Sequence, residues 1–473
     1  MLEKKMISRV LTQALTKGGD FAEIYCEEKE MTAIICEDNK VERVNLGREI
    51  GAGIRVVTEG NTAYAHTNDL SEEGLLKTAE TVAHIAEGMA KTVEIAFHSV
   101  PAGPSLEFLK MPEQFPFEEK VETVLAANQA ARSVGEEIKQ VMVSLADVHK
   151  RFQIANSSGD LIEDELVRTR FVVNAVAARD GVIQTGFDAV GGVIGWELLD
   201  ENDARELGRK AAQRAVQMLD AKPCPAGKMP VVMSSEAGGT MVHEACGHGL
   251  EADLVQRGLS VYGGKMGQQV AGEEISVIDD STLFKKNGTL RYDDEGTPGK
   301  KNVLIEKGIL KSYMQDRITA LKDGVDPTGN GRRESYQHKP IPRMTNTYIA
   351  SGSDDPDQII RDTQHGLLVR KMGGGQVNTT NGDFVFEVQE GYIIEDGEIK
   401  YPVRGATLSG NGPEVLNNID RIGRDIGFAI GTCGKDGQGV PVSDAQPTMR
   451  IKSITVGGVG GADGPQIKRI RRL

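Results

Sequence analysis

His243-Glu244-Ala245-Cys246-Gly247-His248 brackets a carboxylate with two imidazoles, in a chain that has 8 histidines among 473 residues. Two ring nitrogens beside a glutamate are the parts of a zinc hydrolase: the rings hold the ion and the carboxylate activates the attacking water. The spacing departs from the common H-E-x-x-H, where the ligands sit at i and i+4 on one helix face. Here they sit at i and i+5, about 140° apart on a regular helix and too far round to share one ion. The helix must therefore widen into a π turn or end near Gly247. Gly247 suits either solution, because it relaxes the backbone just before His248.

A catalytic zinc takes three protein ligands and keeps a fourth position open. Two thiols could supply the third ligand. Cys246 follows His243 by three residues, so a helix would put both on one face. Cys433 lies in Gly431-Thr432-Cys433-Gly434, where flanking glycines let the backbone approach an ion closely. For Cys246 the alternative role is a small buried hydrophobe. His66, His84, His98, His149, His338 and His365 have no second ligand at metal spacing. His338 lies among Arg332, Arg333, Glu334, Tyr336 and Arg343 and is a candidate neighbour of a substrate.

The longer run from Met241 to Glu251 resembles the TldD/PmbA family of metallopeptidases. Gly431-Thr432-Cys433-Gly434-Lys435-Asp436-Gly437-Gln438 resembles the family's second block, as does Pro342-Arg343-Met344-Thr345-Asn346-Thr347. Gly19-Asp20-Phe21-Ala22-Glu23-Ile24 and Gly51-Ala52-Gly53-Ile54-Arg55-Val56 are similar to its N-terminal half. The resemblance covers nearly the whole chain. The intact motif marks the TldD-type subunit, since the PmbA (TldE) type is expected to lack it. The resemblance implies Zn2+ on His243, His248 and Cys433, with Glu244 as general base, and cleavage of small or unfolded peptides. It also implies a dimer, with a PmbA-type sister chain or with itself. The family's older description as modulators of DNA gyrase supplies a second reading: a non-enzymatic regulatory binding protein with a structural metal.

Composition sets the frame for these residues. A chain this long exceeds one ordinary core, so two domains are expected. A net charge of −14 argues against a phosphate-binding surface, and no nucleic-acid contact is expected. The basic tail, Lys468, Arg469, Arg471 and Arg472, reads as a solvated terminus. There is no apolar run of about 18 residues, so no membrane span is expected. The first residues lack the apolar core of a signal peptide. Five scattered cysteines make no disulfide framework and fit a reducing cytoplasm.

The elements that must position the motif follow from periodicity. Met6, Val10, Leu11 and Leu15 fall at helical spacing, and Gly18-Gly19 ends that helix. Alternating runs at 21–26, 33–36, 41–46 and 53–57, split at Asp38-Asn39 and Glu59-Gly60-Asn61, form an antiparallel meander. Ser71 caps a helix running to about Met89. Further helices are expected near 118–138 and 201–219, with strands between Val141 and Val193. The segment 221–228, rich in proline and small residues, reads as a linker between domains 1–220 and 229–473. Beyond it, Met229–Met233 is a strand that leads through Ser234 or Ser235, as N-cap, into the motif helix. Lys307-Gly308 turns a hairpin. Strands near 367–372, 376–394, 399–409 and 448–457 wrap into a barrel-like sheet, and 410–425 is a helix. The fold expected is α+β: an N-terminal mixed α/β domain with an antiparallel sheet, and a C-terminal β-rich, barrel-like domain carrying the metal-site helix.

Overall fold

In the N-terminal half, hairpin chemistry and strand pairing override the breaks that the sequence pattern implied. The computed structural model describes residues 1–86, 95–101, 103 and 105–458. Asp38 and Asn39, both with positive φ (50° and 65°), turn one two-residue hairpin. Its arms, Phe21–Glu37 and Lys40–Thr58, are single strands that run straight through the polar stretches expected to interrupt them. They pair from Phe21 opposite Val57 to Glu37 opposite Lys40. Phe21–Glu37 also pairs with Ile138–Asn156 on its other side. Backbone bonds on both flanks hold the charged Glu27–Glu30 segment extended whatever its side chains prefer.

These strands belong to a seven-stranded sheet, in the order Asn61–Thr67, Lys40–Thr58, Phe21–Glu37, Ile138–Asn156, Asp160–Arg179. His98–Ser99 and Val182–Gly192 both pair with the last of these. Ile24, Cys26, Ile34 and Cys36 face one side of the sheet. Helices Lys4–Ala14 and Glu72–Ile85 pack on the first two, and helices Phe117–Arg132 and Ala204–Gln217 on the others. Ser71 caps as expected, its hydroxyl accepting from the Gly74 N–H (3.2 Å). The end expected near Met89 lies outside the described residues.

The opposite face meets the second half of the chain. Glu23, Tyr25 and Glu27 alternate onto it. Arg333 donates to Glu23 (2.7 Å), and Arg55 lies 2.8 Å from Glu23 and 2.6 Å from Glu295. The Tyr336 N–H donates to Glu27 (2.9 Å). This buried network pins the segment that leads to Arg343 and Met344 beneath the motif.

Five strands of the second half close a barrel: Gly227–Met233, Met449–Gly457, Thr407–Asn411, Asp383–Glu395 and His365–Val377, the last pairing back to the first. The barrel-like expectation is met, with the strand before the motif as its closing member. Lys222–Pro223, inside the stretch read as linker, pairs with Val403–Arg404. A separate six-stranded sheet ends on strands Asn346–Ile349, Gln438–Gln446 and Gly427–Lys435. The helix expected over 410–425 is shorter. Gly412–Asn417 is helical, but Ile419–Ile422 is a strand on Met449–Gly457. Val415, Leu416, Ile419 and Ile422 are all buried, so the apolar spacing was real while its cause was helix plus strand. No helix among the described residues is long and apolar enough to cross a membrane.

Candidate metal centre

Glycines decide where the motif begins. The Ser234 hydroxyl accepts from the Glu236 N–H (3.2 Å), but it caps only the single turn Ser235–Ala237. Gly238, at φ 69°, breaks that turn, and the helix restarts at Thr240. A Cβ on Gly239 would lie 2.2 Å from the Ala445 backbone nitrogen. Glycine therefore lets the restarted helix begin against strand Gln438–Gln446, which sets His243 beside Asp444.

His243–Gly247 is a π turn, in which the His248 N–H donates to the His243 carbonyl. A bond spanning five residues brings i and i+5 to the same side. The two rings lie 4.9 Å apart between centroids and nearly perpendicular, at 87°. The widened turn that the spacing demanded is present. The role of Gly247 differs from the expectation, because its φ and ψ (−52°, −59°) are ordinary helical values. Space is what requires glycine: a Cβ there would come 2.2 Å from Met344 Sδ.

Cys433 arrives from across the core. Strands Gly427–Lys435 and Gln438–Gln446 are joined at Asp436-Gly437, whose positive φ values (49° and 74°) fit a type I′ hairpin. One arm carries Cys433 and the other Asp444. The ligand atoms of His243, His248 and Cys433 all lie within 4.8 Å of one another. Cys433 Sγ is 3.6 Å from His248 Nε2. Cys246 is outside this group. Its thiol donates to the Val242 carbonyl (3.3 Å), it packs in the main core, and burial pushes it up to about 12.

Each imidazole is held on its far nitrogen by a carboxylate. Asp444 Oδ1 lies 2.7 Å from Nδ1 of His243, and Glu251 Oε2 lies 3.0 Å from Nδ1 of His248. Such partners fix ring orientation and leave Nε2 for a metal. Burial alone would raise the Glu251 carboxyl. Lys435 (3.1 Å), His248 and Arg343 (4.0 Å) outweigh it and hold Glu251 down to about 2. Lys435 also donates to Asp253 (2.7 Å) and to the Pro342 carbonyl (2.8 Å).

Burial would likewise raise the Cys433 thiol, but the two rings hold it down to about 5, so it is a thiolate at neutral pH. Burial opposes charge on the rings, yet Asp444 lifts His243 well above its ordinary value and Glu251 lifts His248 to about 10. The pocket favours positive charge among a thiolate and two carboxylates. A divalent cation held by the same three residues would satisfy this field in place of the protons. Glu244 lines the adjoining cleft of about 430 Å³ with His243, His248, Cys433, Leu254, Gln376, Val377 and Thr432, and burial raises its carboxyl.

The other histidines stay apart from this group. His338 contacts Ser335 Oγ (3.2 Å) and does not line the cleft, His149 sits between Glu113 and Glu165, and His66 meets the Tyr336 ring. The basic tail lies outside the described residues. Sequence reasoning assigned no role to Glu251, Asp444, Lys435 or Arg343. The available signal was the need of every ligating imidazole for an acceptor behind it. Glu251, three residues past His248, met that need by spacing alone. Asp444, 201 residues from His243, did not.

Sequence models of three consecutive domains match the chain: PmbA/TldA metallopeptidase domain 1 over residues 22–86, the central domain over 110–219 and the C-terminal domain over 226–458. The metalloprotease TldD homolog of Haemophilus influenzae is 36% identical over 449 residues, covering 93% of each chain. The zinc metalloprotease TldD homolog of Saccharolobus solfataricus is 30% identical over 457 residues, covering 95% of this chain and 99% of that one. A crystal structure from Thermotoga maritima, described as a modulator of a DNA gyrase, superposes with a TM-score of 0.80 at 22% identity, covering 96% of this chain and 100% of that one.

Proposed function

Because the chain belongs to the PmbA/TldD metallopeptidase family, we propose that it is a zinc-dependent peptidase of the TldD type, acting on small or unfolded peptides. The observation that carries this reading is the convergence of His243, His248 and Cys433 within 4.8 Å, beside Glu244 in the wall of a cleft. Two imidazoles and a thiolate suit zinc and leave one position open, the arrangement of a catalytic rather than a closed structural site.

In this reading His243, His248 and Cys433 hold the ion. When bound, zinc supplies Lewis acidity, polarising the scissile carbonyl and acidifying the attacking water. Glu244 takes a proton from that water and returns it to the leaving amine, a role that suits a carboxyl raised by burial. Asp444 and Glu251 orient the two rings, and Lys435 with Arg343 keeps Glu251 ionised. The cleft runs between Thr432–Lys435, on the last strand of its sheet, and Gln376–Val377. An extended peptide pairing with a strand edge would be read through its backbone, so sequence preference is loose and the substrate must be unfolded. The partner is a PmbA-type sister chain or a second copy. Five free, buried cysteines accord with a reducing, cytoplasmic setting.

The test combines metal analysis with proteolysis. Purified protein should hold about one zinc per chain, and His243→Ala and His248→Ala should each lose it. A denatured protein substrate should be cut while its folded form resists. Stoichiometric zinc retained in both variants, or equal cleavage of folded and denatured substrate, overturns the reading.

A further inference from the structure

The strand that walls the metal cleft also lines a second, larger cavity. Gln376 and Val377 belong to the cleft, and Met372, Gly373 and Gly374 of the same strand belong to the cavity. From Gly374 to Gln376 is roughly 7 Å along a strand. The cavity has a volume of about 980 Å³ and lies between the N-terminal sheet and the barrel, a place where ligands commonly bind. On the sheet side Ile183, Gln184 and Thr185 line it in succession. Side chains alternate across a strand, so a cavity touched by three residues in a row runs past the strand's edge. That strand, Val182–Gly192, pairs only with Asp160–Arg179, and its outer side has no strand partner among the described residues. On the barrel side, three steps from Met372 to Gly375 face two steps of the neighbouring strand, from Val388 to Phe386, so one residue bulges out. Gly374 in this bulge has no positive φ, and a Cβ there would meet nothing within 4 Å. Neither backbone angle nor packing calls for glycine at this point. Close approach of a ligand does.

We propose that this cavity continues the substrate groove and holds the length of unfolded peptide beyond the cleaved bond. The inference rests on the peptidase reading and says where the rest of its substrate lies. Asn174, Gln184 and Gln389 line the cavity half-buried, and no described residue bonds to their side-chain amides. An amide offers a donor and an acceptor, as a peptide group does, so three free amides match an uncharged backbone. The one charged side chain in the lining is the exposed Glu387, which has no ion-pair partner among the described residues. No cation lines the cavity to hold a phosphate or a carboxylate. The carboxylate of Glu387 instead favours a stretch of peptide that carries lysine or arginine over one that carries acid. A peptide extended alongside Met372 to Val377 spans roughly 17 Å, or about five to six residues. Shorter peptides reach only the cleft. Longer ones gain affinity through backbone contacts, which keeps the side-chain preference loose.

The experiment measures binding to full-length, zinc-loaded Glu244→Gln protein, so that peptide is not consumed. Fluorescently labelled unfolded peptides of about four residues are compared with the same peptides extended at either end by about six. Extension at one end should tighten binding about tenfold. Gly374→Leu puts a side chain into the groove, and Gln184→Ala/Gln389→Ala removes two amides. Each should abolish the gain from length while circular dichroism and zinc content stay as in the parent. A lysine in the extension should bind about threefold more tightly than a glutamate, and Glu387→Gln should level the two. No binding, equal affinity for short and extended peptides, a gain that survives both groove variants, or tighter binding of the glutamate form would each overturn the proposal. Cleavage of the same peptides by wild-type protein is read separately. Length-dependent binding without cleavage keeps the groove and removes the peptidase reading, and cleavage with no gain from length does the reverse.

Discussion

Removing the carboxylate behind His243 isolates what the distant hairpin contributes to the proposed metal site. Asp444 Oδ1 lies 2.7 Å from His243 Nδ1, and the histidine is only 6% exposed, so water cannot replace a lost acceptor. Asp444→Asn removes the charge and keeps an acceptor in place. Asp444→Ala removes both and leaves a buried N–H unpaired, a loss of about 1–3 kcal/mol. Losing such an orienting partner lowers metal affinity about 10–100-fold, or about 1.4–2.7 kcal/mol, so the two scales agree. A second effect opposes this one. In metal-free protein Asp444 raises His243, so removing the charge weakens the proton that competes with zinc. The Asn variant should therefore lose about tenfold and the Ala variant about a hundredfold. Competition with a chromophoric chelator on metal-free, full-length protein measures this at several pH values. The variants should also release fewer protons on binding zinc. An Ala variant that keeps its circular dichroism and binds zinc within twofold of wild type would refute the reasoning.

Cys433→Ala should empty the zinc site and abolish cleavage, while Cys246→Ala keeps both and costs on the order of 1 kcal/mol of packing; zinc analysis of the pair side by side decides, and an empty Cys246→Ala would reverse the ligand assignment. Gly247→Ala drives a Cβ to 2.2 Å from Met344 Sδ and should cost about 1–3 kcal/mol by overpacking, read as a lower melting temperature that Met344→Ala in the same chain partly restores. Glu251 ionises at about 2 in the fold against 4.5 ordinarily, so its contribution of about 3 kcal/mol is present above pH 4.5 and lost as pH falls towards 2. Glu251→Gln should therefore flatten the acid limb of urea stability against pH in metal-free protein, and an unchanged limb would contradict this.

What was legible in the sequence was whatever a short span of chain decides. The five-residue gap from His243 to His248 required a widened turn, and a π turn is there. Asp38-Asn39 and Lys307-Gly308 signalled turns that positive φ values bear out. Ser71 announced its helix. The losses came where long-range pairing decides. The arms Phe21–Glu37 and Lys40–Thr58 read as fragments, because their middles lie where the face is half exposed and the alternation fails. Residues 415–422 satisfied helical spacing while belonging to a helix and a strand, an ambiguity that periodicity cannot resolve over so short a run. Gly247 was assigned to backbone freedom, although Met344, distant in sequence, is what excludes a side chain. Asp444 stayed hidden for the same reason, since only the Cys433 hairpin brings it to His243.

The proposed mechanism requires Glu244 to work on water beside a zinc that it does not bind. Glu244→Gln should hold as much zinc per chain as wild type and keep the same circular dichroism, while its rate on an unfolded peptide falls about 10²–10⁴-fold. A Glu244→Gln protein that cleaves at the wild-type rate in a clean preparation would contradict the claim, and a zinc-loaded wild type that cleaves no unfolded peptide would favour the regulatory reading with a structural metal.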